Sequence, residues 1–292
     1  IAGENFTYEF NKKTGLMDKG SYSDREIFKQ GPVFNVWRAP LANELDSWSL
    51  SGIPEISPQK EGLGNNIANG WLTTGLNRID SEVDNINIME NDSNIKLIIE
   101  CTAAANYYTS GFKVIYNYMI NGNGEIKLKV KVIPHGHFPH WLPKIGLKMK
   151  LSFNYKNLEW FGRGPFENYP DRKTGAKMGK YQNTVDNEYE PYLIPEDYGN
   201  KTDVRWLSLT DEQGKGLKIY GEDSLNISTH KFTTDNLTRA NYPFQLEESD
   251  YITLNIDHRV SGVGGSAISV LNKYRVFPEI DEFTVYLQPM KK

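Results

Sequence analysis

The sequence predicts an all-β protein built from long antiparallel strands. Apolar or alternating runs follow one another in the first half of the chain, and no segment there keeps apolar residues at the i, i+3, i+4 and i+7 spacing of an amphipathic helix. The turns between the runs include two Asn-Gly pairs, which are typical of hairpins. The 17 tyrosines and 13 phenylalanines also favour strands. The runs span residues 86–90, 95–101, 112–120, 125–133 and 145–153.

The chain before these runs begins with a hairpin signal. Residues 6–10 alternate aromatic and polar side chains, and the polar, glycine-ended segment 11–15 predicts a turn. Residues 33–40 predict an aromatic strand that ends at a proline. Residues 41–69 then lose periodicity, and we interpret them as a functional loop or a covering arm.

The second half resumes the strand pattern and adds one short helix, expected between Asp235 and Tyr242. Such recurring strands predict two large packed sheets in a single domain over residues 1–292. Two separate β domains are the alternative, and residues 134–139 are the one linker candidate for it. The later strand signals lie at residues 204–209, 216–221, 251–257 and 283–288.

A central stretch, residues 160–175, combines glycines, prolines, charges and aromatic rings, and it predicts a structured loop. Glycine frees the backbone and proline restricts it, so the loop would be a rigid platform for side chains. The functional interpretation is a surface that faces a sugar or a partner. The structural interpretation is that its charges pair and attach the loop to the body. The side chains are Arg163, Glu167, Asn168, Tyr169, Asp171 and Arg172.

Composition narrows the classes of partner. A net charge of −4 without a basic cluster argues against nucleic acid, and no apolar run approaches the roughly 18 residues of a membrane span. The single cysteine, Cys101, lies in a strand-like run and is interpreted as a small core residue. The opening Ile1-Ala2-Gly3 leads us to expect a piece of a longer polypeptide or a processed form. Compartment is left open, because one unpaired cysteine is tolerated in the cytoplasm and the periplasm alike.

Motifs that could carry chemistry are weak. The His-x-His-x-x-His spacing of His135, His137 and His140 could hold zinc, but a polar turn is favoured and we predict no metal. The glycines at 262–265 are interpreted as a tight connection before a strand at 268–270. A glycosidase needs two carboxylates, and Glu167 and Asp171 are candidates, although ion-paired roles are favoured for both.

Several ordered landmarks resemble the C-terminal, small-chain domain of family 2 β-galactosidases. The Trp-Phe-Gly-Arg-Gly-Pro-Phe-Glu-Asn-Tyr-Pro-Asp-Arg run is the strongest of them. Together the landmarks follow the order of the family and extend over essentially the whole chain. They are residues 34–40 with Asn43, 142–146, 160–175, 202–207, and 254–257 leading into 262–265.

The resemblance implies a large antiparallel supersandwich of the galactose-mutarotase-like type. It also implies that the retaining hydrolysis of β-galactosides is carried out by two glutamates in an upstream (β/α)8 barrel, in the same polypeptide or in a partner subunit. This chain would then be noncatalytic, would hold no cofactor, and would shape the active-site cleft. The parent enzyme could use Mg or Na in its other domains and could be a homo-oligomer.

The chain departs from the family pattern at three places. It has Asn43-Glu44 where Asn-Asp is common, and residues 264–269 lack the tryptophan and acids that are often present. A sugar contact is therefore not carried over to those positions. The turn at residues 210–214 has no aromatic residue, in the region where some members of the family extend a tryptophan-bearing loop. Trp206 could substitute only if it faced the cleft, but the alternation of its strand predicts a core position.

Two other functions stay open on the sequence. A carbohydrate-binding module would stack Trp160, Tyr169 or Trp206 on a galactoside. A mutarotase-type enzyme would pair a histidine, His230 or His258, with Glu167.

Overall fold

The computed structural model describes residues 1–45, 66–91, 94–138, 140–265 and 269–291. Most of these residues lie in strands, with two short helices. The strands are β1 Phe6–Phe10, β2 Met17–Tyr22, β3 Arg25–Asn35, β4 Asp80–Glu90, β5 Asn94–Ala104, β6 Gly111–Asn121, β7 Ile126–His135, β8 Lys144–Ser152, β9 Asn157–Gly164, β10 Lys177–Thr184, β11 Lys201–Thr210, β12 Gly216–Phe232, β13 Glu248–Val260 and β14 Asp281–Met290. The helices are α1 Ile67–Thr73 and α2 Thr234–Arg239.

The strands form one curled antiparallel arrangement, which confirms the predicted fold class. Its hydrogen-bonded path runs β1-β2-β3-β8-β13-β12-β14-β7-β6-β5-β4, and β11, β9 and β10 branch from β12. Neighbours far apart in sequence, such as β3 with β8 and β12 with β14, are thereby brought together. Neither helix in the described ranges is long and apolar enough to cross a membrane.

The core follows from strand periodicity. In β5, Leu97, Ile99 and Cys101 are buried while the residues between them are partly accessible. The register pairs Ile99 with Tyr116 of β6, so apolar side chains from neighbouring strands share one face. One hydrophobic cluster extends in this way from β1 to β14. The interpretation of Cys101 as a core residue is confirmed.

Several predicted boundaries change. Residues 160–164 belong to β9 rather than to the predicted loop, because Trp160 packs inward and pairs with Leu207 of β11. Strand β3 ends at Asn35, not at Pro40. The helix α1 was missed, because seven residues are too few to show a helical period. The predicted helix near residues 235–242 is present as α2.

Two predictions concern loops; the structure contradicts one of them and describes little of the other. Residues 269–270 are not in a strand, contrary to the expected 268–270 strand, and 268 lies outside the described residues. Most of the aperiodic 41–69 segment also lies outside them, as do residues 92–93, 139, 266–268 and 292.

Four connections converge and form the candidate site: residues 36–45 after β3, 165–176 after β9, 189–200 before β11 and 261–265 after β13.

Candidate functional site

The first part of the central stretch is held by a charged cluster beside β9. The Arg163 Nε donates to Asp203 Oδ2 at 2.5 Å, and Lys173 Nζ donates to the same carboxylate at 2.8 and 2.9 Å. The Arg163 Nη1 also donates to the carbonyls of Lys173 and Ala176. These two cations hold the pKa of Asp203 below its usual value, against the opposing effect of its burial. Arg163 therefore closes the 165–176 loop onto β11.

Asn168 is fully buried and joins two loops. Its Oδ1 accepts from the Thr202 backbone N at 2.9 Å and from the Thr202 hydroxyl at 2.6 Å, and its Nδ2 donates to the Phe166 carbonyl. Asn200 Nδ2 donates to the Asn168 carbonyl at 2.7 Å. The amide has no accessible surface and acts as an anchor between the two loops.

Asp171 binds the loop after β13. Its two carboxylate oxygens accept from the backbone N–H groups of Val263 at 3.0 Å and Gly264 at 2.7 Å. A Cβ at Gly262 would lie 2.5 Å from the carboxylate carbon, so only glycine allows this approach. The carboxylate fixes residues 262–264 relative to the central loop.

A cavity of about 270 Å³ lies where the four connections meet. Glu167 belongs to its wall, where its carboxylate accepts from the Tyr192 hydroxyl, from Arg172 Nη2 at 3.1 Å and from the Gly199 backbone N at 3.0 Å. Arg172 stands at the rim with a side chain 60% exposed. The lining residues are Leu41, Ala42, Asn43, Glu167, Tyr169, Arg172, Tyr192, Glu196, Asp197, Val263, Gly264 and Gly265.

Acidic side chains dominate the inner wall. Glu196 accepts from the Ala42 backbone N at 2.6 Å, and burial raises its pKa to about 7, with the neighbouring carboxylates Glu44 and Glu167 adding to the shift. Asp197 is 5% exposed. Tyr169 is 1% exposed, and burial together with the charge of Asp197 raises the pKa of its hydroxyl.

Two ion pairs lie deeper than the cavity. Arg38 is fully buried and donates from both Nη atoms to Glu44 at 2.6 Å, and Glu44 also accepts from the Leu41 backbone N. Lys144 donates to Asp257 at 3.1 Å, and burial raises the pKa of Asp257 to about 6 despite that lysine. In both pairs the cation is bound to its own carboxylate, Arg38 to Glu44 and Lys144 to Asp257, so neither contributes much positive charge to the cavity.

His230 lies under the 197–198 segment, not beside Glu167. Its Nε2 is 2.8 Å from the Tyr198 carbonyl and 3.9 Å from Asp197 Oδ1, and its pKa is lowered by burial. His258 instead contacts Asp281 at 3.1 Å. In the described structure neither histidine contacts Glu167, so the pairing expected of a mutarotase is absent from these contacts.

Trp206 lies on the outer face of the sheet, and its prediction as a core residue is wrong. Its ring is flanked by the ammonium groups of Lys180 at 5.8 Å and Lys218 at 5.1 Å from the centroid. The register of β11 against β12 shifts between Val204 and Trp206, so the buried positions become Leu207 and Leu209. Trp206 does not line the cavity.

Sequence reasoning missed the segment that supplies most of the acidic wall. Tyr192, Glu196 and Asp197 lie among Pro191, Pro195 and Gly199, which is the same proline- and glycine-rich composition that drew attention to residues 160–175. That composition was the available signal. Within the described ranges, no group of three or more His, Cys, Asp or Glu side chains converges as metal ligands would, and this includes the expected polar turn of His135, His137 and His140.

Comparison with solved structures first defines the fold. The galactose 1-epimerase from Lactobacillus acidophilus NCFM superposes with a TM-score of 0.51 at 7% identity, over 99% of this chain and 92% of that chain. The architecture is therefore of the galactose-mutarotase-like type.

The sequence comparison then defines the family. The family described as "Beta galactosidase small chain" matches residues 2–287, so the chain belongs to it. A β-galactosidase of Priestia megaterium is 29% identical over 269 residues, which are 91% of this chain and 23% of the relative. One of Halalkalibacterium halodurans is 27% identical over 268 residues, 91% of this chain and 24% of the relative. The chain thus spans about a quarter of the length of these relatives.

Proposed function

We propose that this chain is the noncatalytic C-terminal part of a retaining β-galactosidase and shapes one wall of its active-site cleft. The observation that carries the proposal is the family match over residues 2–287 in a chain that covers only 23% and 24% of two β-galactosidase relatives. The remaining three quarters or so of such a polypeptide would contain the (β/α)8 barrel and the two catalytic glutamates.

The contacts of the central loop support a scaffolding role. Glu167 and Asp171 are the carboxylates that could have formed an acid and nucleophile pair. Both are engaged, Glu167 with Arg172, Tyr192 and a backbone amide, and Asp171 with two backbone amides. The oxygens of both carboxylates are thus occupied by contacts within the chain, as a scaffolding role requires.

The chain would act by positioning. Asn168, Asp171 and Arg163 link the central loop to its neighbours, so the cavity end forms a rigid surface against which a barrel can pack. Holding the walls of a cleft in place can contribute several kcal/mol to catalysis without a group that acts on the bond. The galactoside would be bound mainly by the barrel.

Turnover of an aryl β-galactoside tests the proposal. The 292-residue chain should give no turnover, whereas the complete polypeptide that contains it should hydrolyse the substrate with retention. Hydrolysis by the 292-residue chain, proportional to its concentration and kept through two orthogonal purification steps, would show that the noncatalytic assignment is wrong.

A carbohydrate-binding role is the second candidate, and the size of the cavity is the observation that favours it. At about 270 Å³ it is somewhat smaller than the roughly 300–1,000 Å³ of pockets for drug-sized ligands, so a single sugar ring would suit it. Calorimetric titration and amide chemical shifts with galactose and lactose at millimolar concentration test this role, and the absence of both heat and shift changes would exclude it.

A further inference from the structure

The cavity wall carries negative charge that the described residues do not balance. Glu167, Glu196 and Asp197 line it, and the one cation in the lining is Arg172, which is bound to Glu167 at the rim. Arg38 lies beneath the cavity, but it forms an ion pair with Glu44 that neutralises its charge. Removing carboxylates from water is costly unless a partner compensates them.

Two deeply buried polar groups at the cavity lack partners within the described ranges. Asp197 is 5% exposed and accepts no hydrogen bond there; its nearest basic atom is His230 Nε2 at 3.9 Å, on a ring that burial disfavours as a cation. The Tyr169 hydroxyl is also buried without a partner and lies in the electrostatic field of Asp197 and Glu167. Buried polar groups are almost always satisfied, so these atoms indicate a ligand that belongs to the cavity.

The wall indicates the chemistry of that ligand. The described acids do not converge as metal ligands do, so a bare metal ion fits poorly. They come from two connections around a cavity of about 270 Å³, Glu167 from the central loop and Glu196 and Asp197 from residues 189–200. A guanidinium group carries five N–H donors in a planar fork and can bind separated carboxylates together. It can also lie on an aromatic ring, as Arg172 already does with its Cζ 5.9 Å from the centroid of Tyr169.

We propose that the cavity binds the guanidinium group of an arginine from the catalytic part of the enzyme, with Asp197 and Glu196 as its principal acceptors. The source of the arginine rests on the proposed function, because about three quarters of the relatives' length lies outside this chain. The nature of the bound group, a cation, is argued from the negative charge of the cavity wall. The contact would attach the cavity end to the barrel through a charge-assisted pair.

Glu196 makes this binding depend on pH. The groups that face its carboxyl are Glu44 and Arg38 from the connection after β3, Glu167 and Arg172 from the central loop, and its neighbour Asp197. A cation binds the ionised carboxylate, so its entry releases a proton. With the pKa of the free carboxyl at about 7, affinity should weaken about tenfold from pH 8 to pH 6.

A pair of probes that differ in charge tests the site on the 292-residue chain. N-acetyl-arginine methylamide presents the guanidinium, and N-acetyl-citrulline methylamide presents the same shape without charge. The arginine probe should bind at pH 8, by calorimetry or by amide chemical shifts near residues 167–172 and 262–265. The citrulline probe should bind at least about tenfold more weakly.

Two variants locate the binding. Asp197→Asn and Glu196→Gln should each weaken the arginine probe at least about tenfold, and Glu196→Gln should also remove the dependence on pH. Glu212→Gln, an exposed acid on the hairpin between β11 and β12, is the matched control and should leave binding unchanged. Arg172→Gln removes the cation that is bound to Glu167 at the rim, so it should strengthen binding of the arginine probe.

Other results would overturn the site. They are equal affinity for the two probes, no response to either acidic variant, or binding of galactose in preference to arginine. The complete polypeptide identifies the occupant: its cavity should be filled and should bind no probe. Probe binding there equal to that of the 292-residue chain would refute an internal arginine. These results are independent of the turnover assay, which tests the proposed function by itself.

Discussion

Replacing Glu196 by glutamine removes an acid whose charged form is disfavoured in the folded chain. Among the described residues the carboxyl accepts one hydrogen bond, from the Ala42 backbone N. It otherwise faces three acids and two arginines, namely Glu44, Glu167, Asp197, Arg38 and Arg172. Glutamine is close in size, and its side-chain oxygen can accept the same bond. The substitution therefore tests the electrostatics of the cavity with little change in packing.

The magnitude follows from the pKa. Folding raises the pKa of Glu196 from 4.5 to about 7, so the folded chain holds this proton more tightly than the unfolded chain does. The free energy of unfolding then falls as the pH rises from about 4.5 to about 7. At about 1.4 kcal/mol per pH unit, this amounts to roughly 3 kcal/mol. Below pH 4.5 the free energy of unfolding of Glu196→Gln should depend on pH as that of the parent chain does. By pH 8 it should have gained up to this amount relative to the parent.

Urea unfolding of the 292-residue chain and the variant from pH 4.5 to 8.5 measures the difference. Subtracting the two curves cancels the other titrating groups, including Asp257, whose pKa is also raised. Glu212→Gln serves as the exposed control and should give a curve parallel to the parent. A parallel curve for Glu196→Gln would refute the reasoning, because it would mean that the carboxyl titrates alike in both states.

Four further predictions concern the scaffold and the outer face of the sheet. Asp171→Ala should lower the free energy of unfolding by about 1–3 kcal/mol, because two backbone amides lose their acceptor. Hydrogen exchange at those two amides should become faster. Gly262→Ala should have a similar effect, because its Cβ would clash with the Asp171 carboxylate. Glu188→Ala should cost about 3–5 kcal/mol in urea unfolding because it leaves Lys201 buried without its carboxylate, and Lys201→Met in the same chain should recover much of that loss. Trp206→Ala should cost about 1–2 kcal/mol, the size of its two cation–π contacts, and should alter tryptophan fluorescence. A loss of about 3–5 kcal/mol, as for a core tryptophan, would contradict its outer-face position.

The strands could be predicted from the sequence because their burial is periodic. Alternation in residues 112–120 and 145–153 places every second side chain inside, and the Asn-Gly turns set the hairpins. The prediction for Trp206 was wrong because the pairing of β11 with β12 shifts register between Val204 and Trp206, and the buried positions of β11 change parity there. Such a shift leaves no mark on composition, so only the pairing with β12 reveals it.

The candidate site was predicted in part. Glu167, Tyr169 and Arg172 do line a cavity, and Arg163, Asn168 and Asp171 serve as internal links. A sugar contact for any of these residues, for Trp206 or for His230 stays a prediction, as does the extent of the domain over residues 1–292. The resemblance to the β-galactosidase small chain is confirmed by the family match.

The sequence by itself determined the all-β class, the strand pattern and the family, because these depend on local periodicity and on motifs in a recognisable order. Tertiary structure decided which acids share a cavity. Glu167, Glu196 and Asp197 come from two connections about thirty residues apart, and the loops after β3 and β13 complete their surroundings. Burial and charge act through space. The raised pKa of Glu196 and the buried position of Asp197, which accepts no hydrogen bond from the described residues, therefore arise only once the curled sheet brings those four connections together.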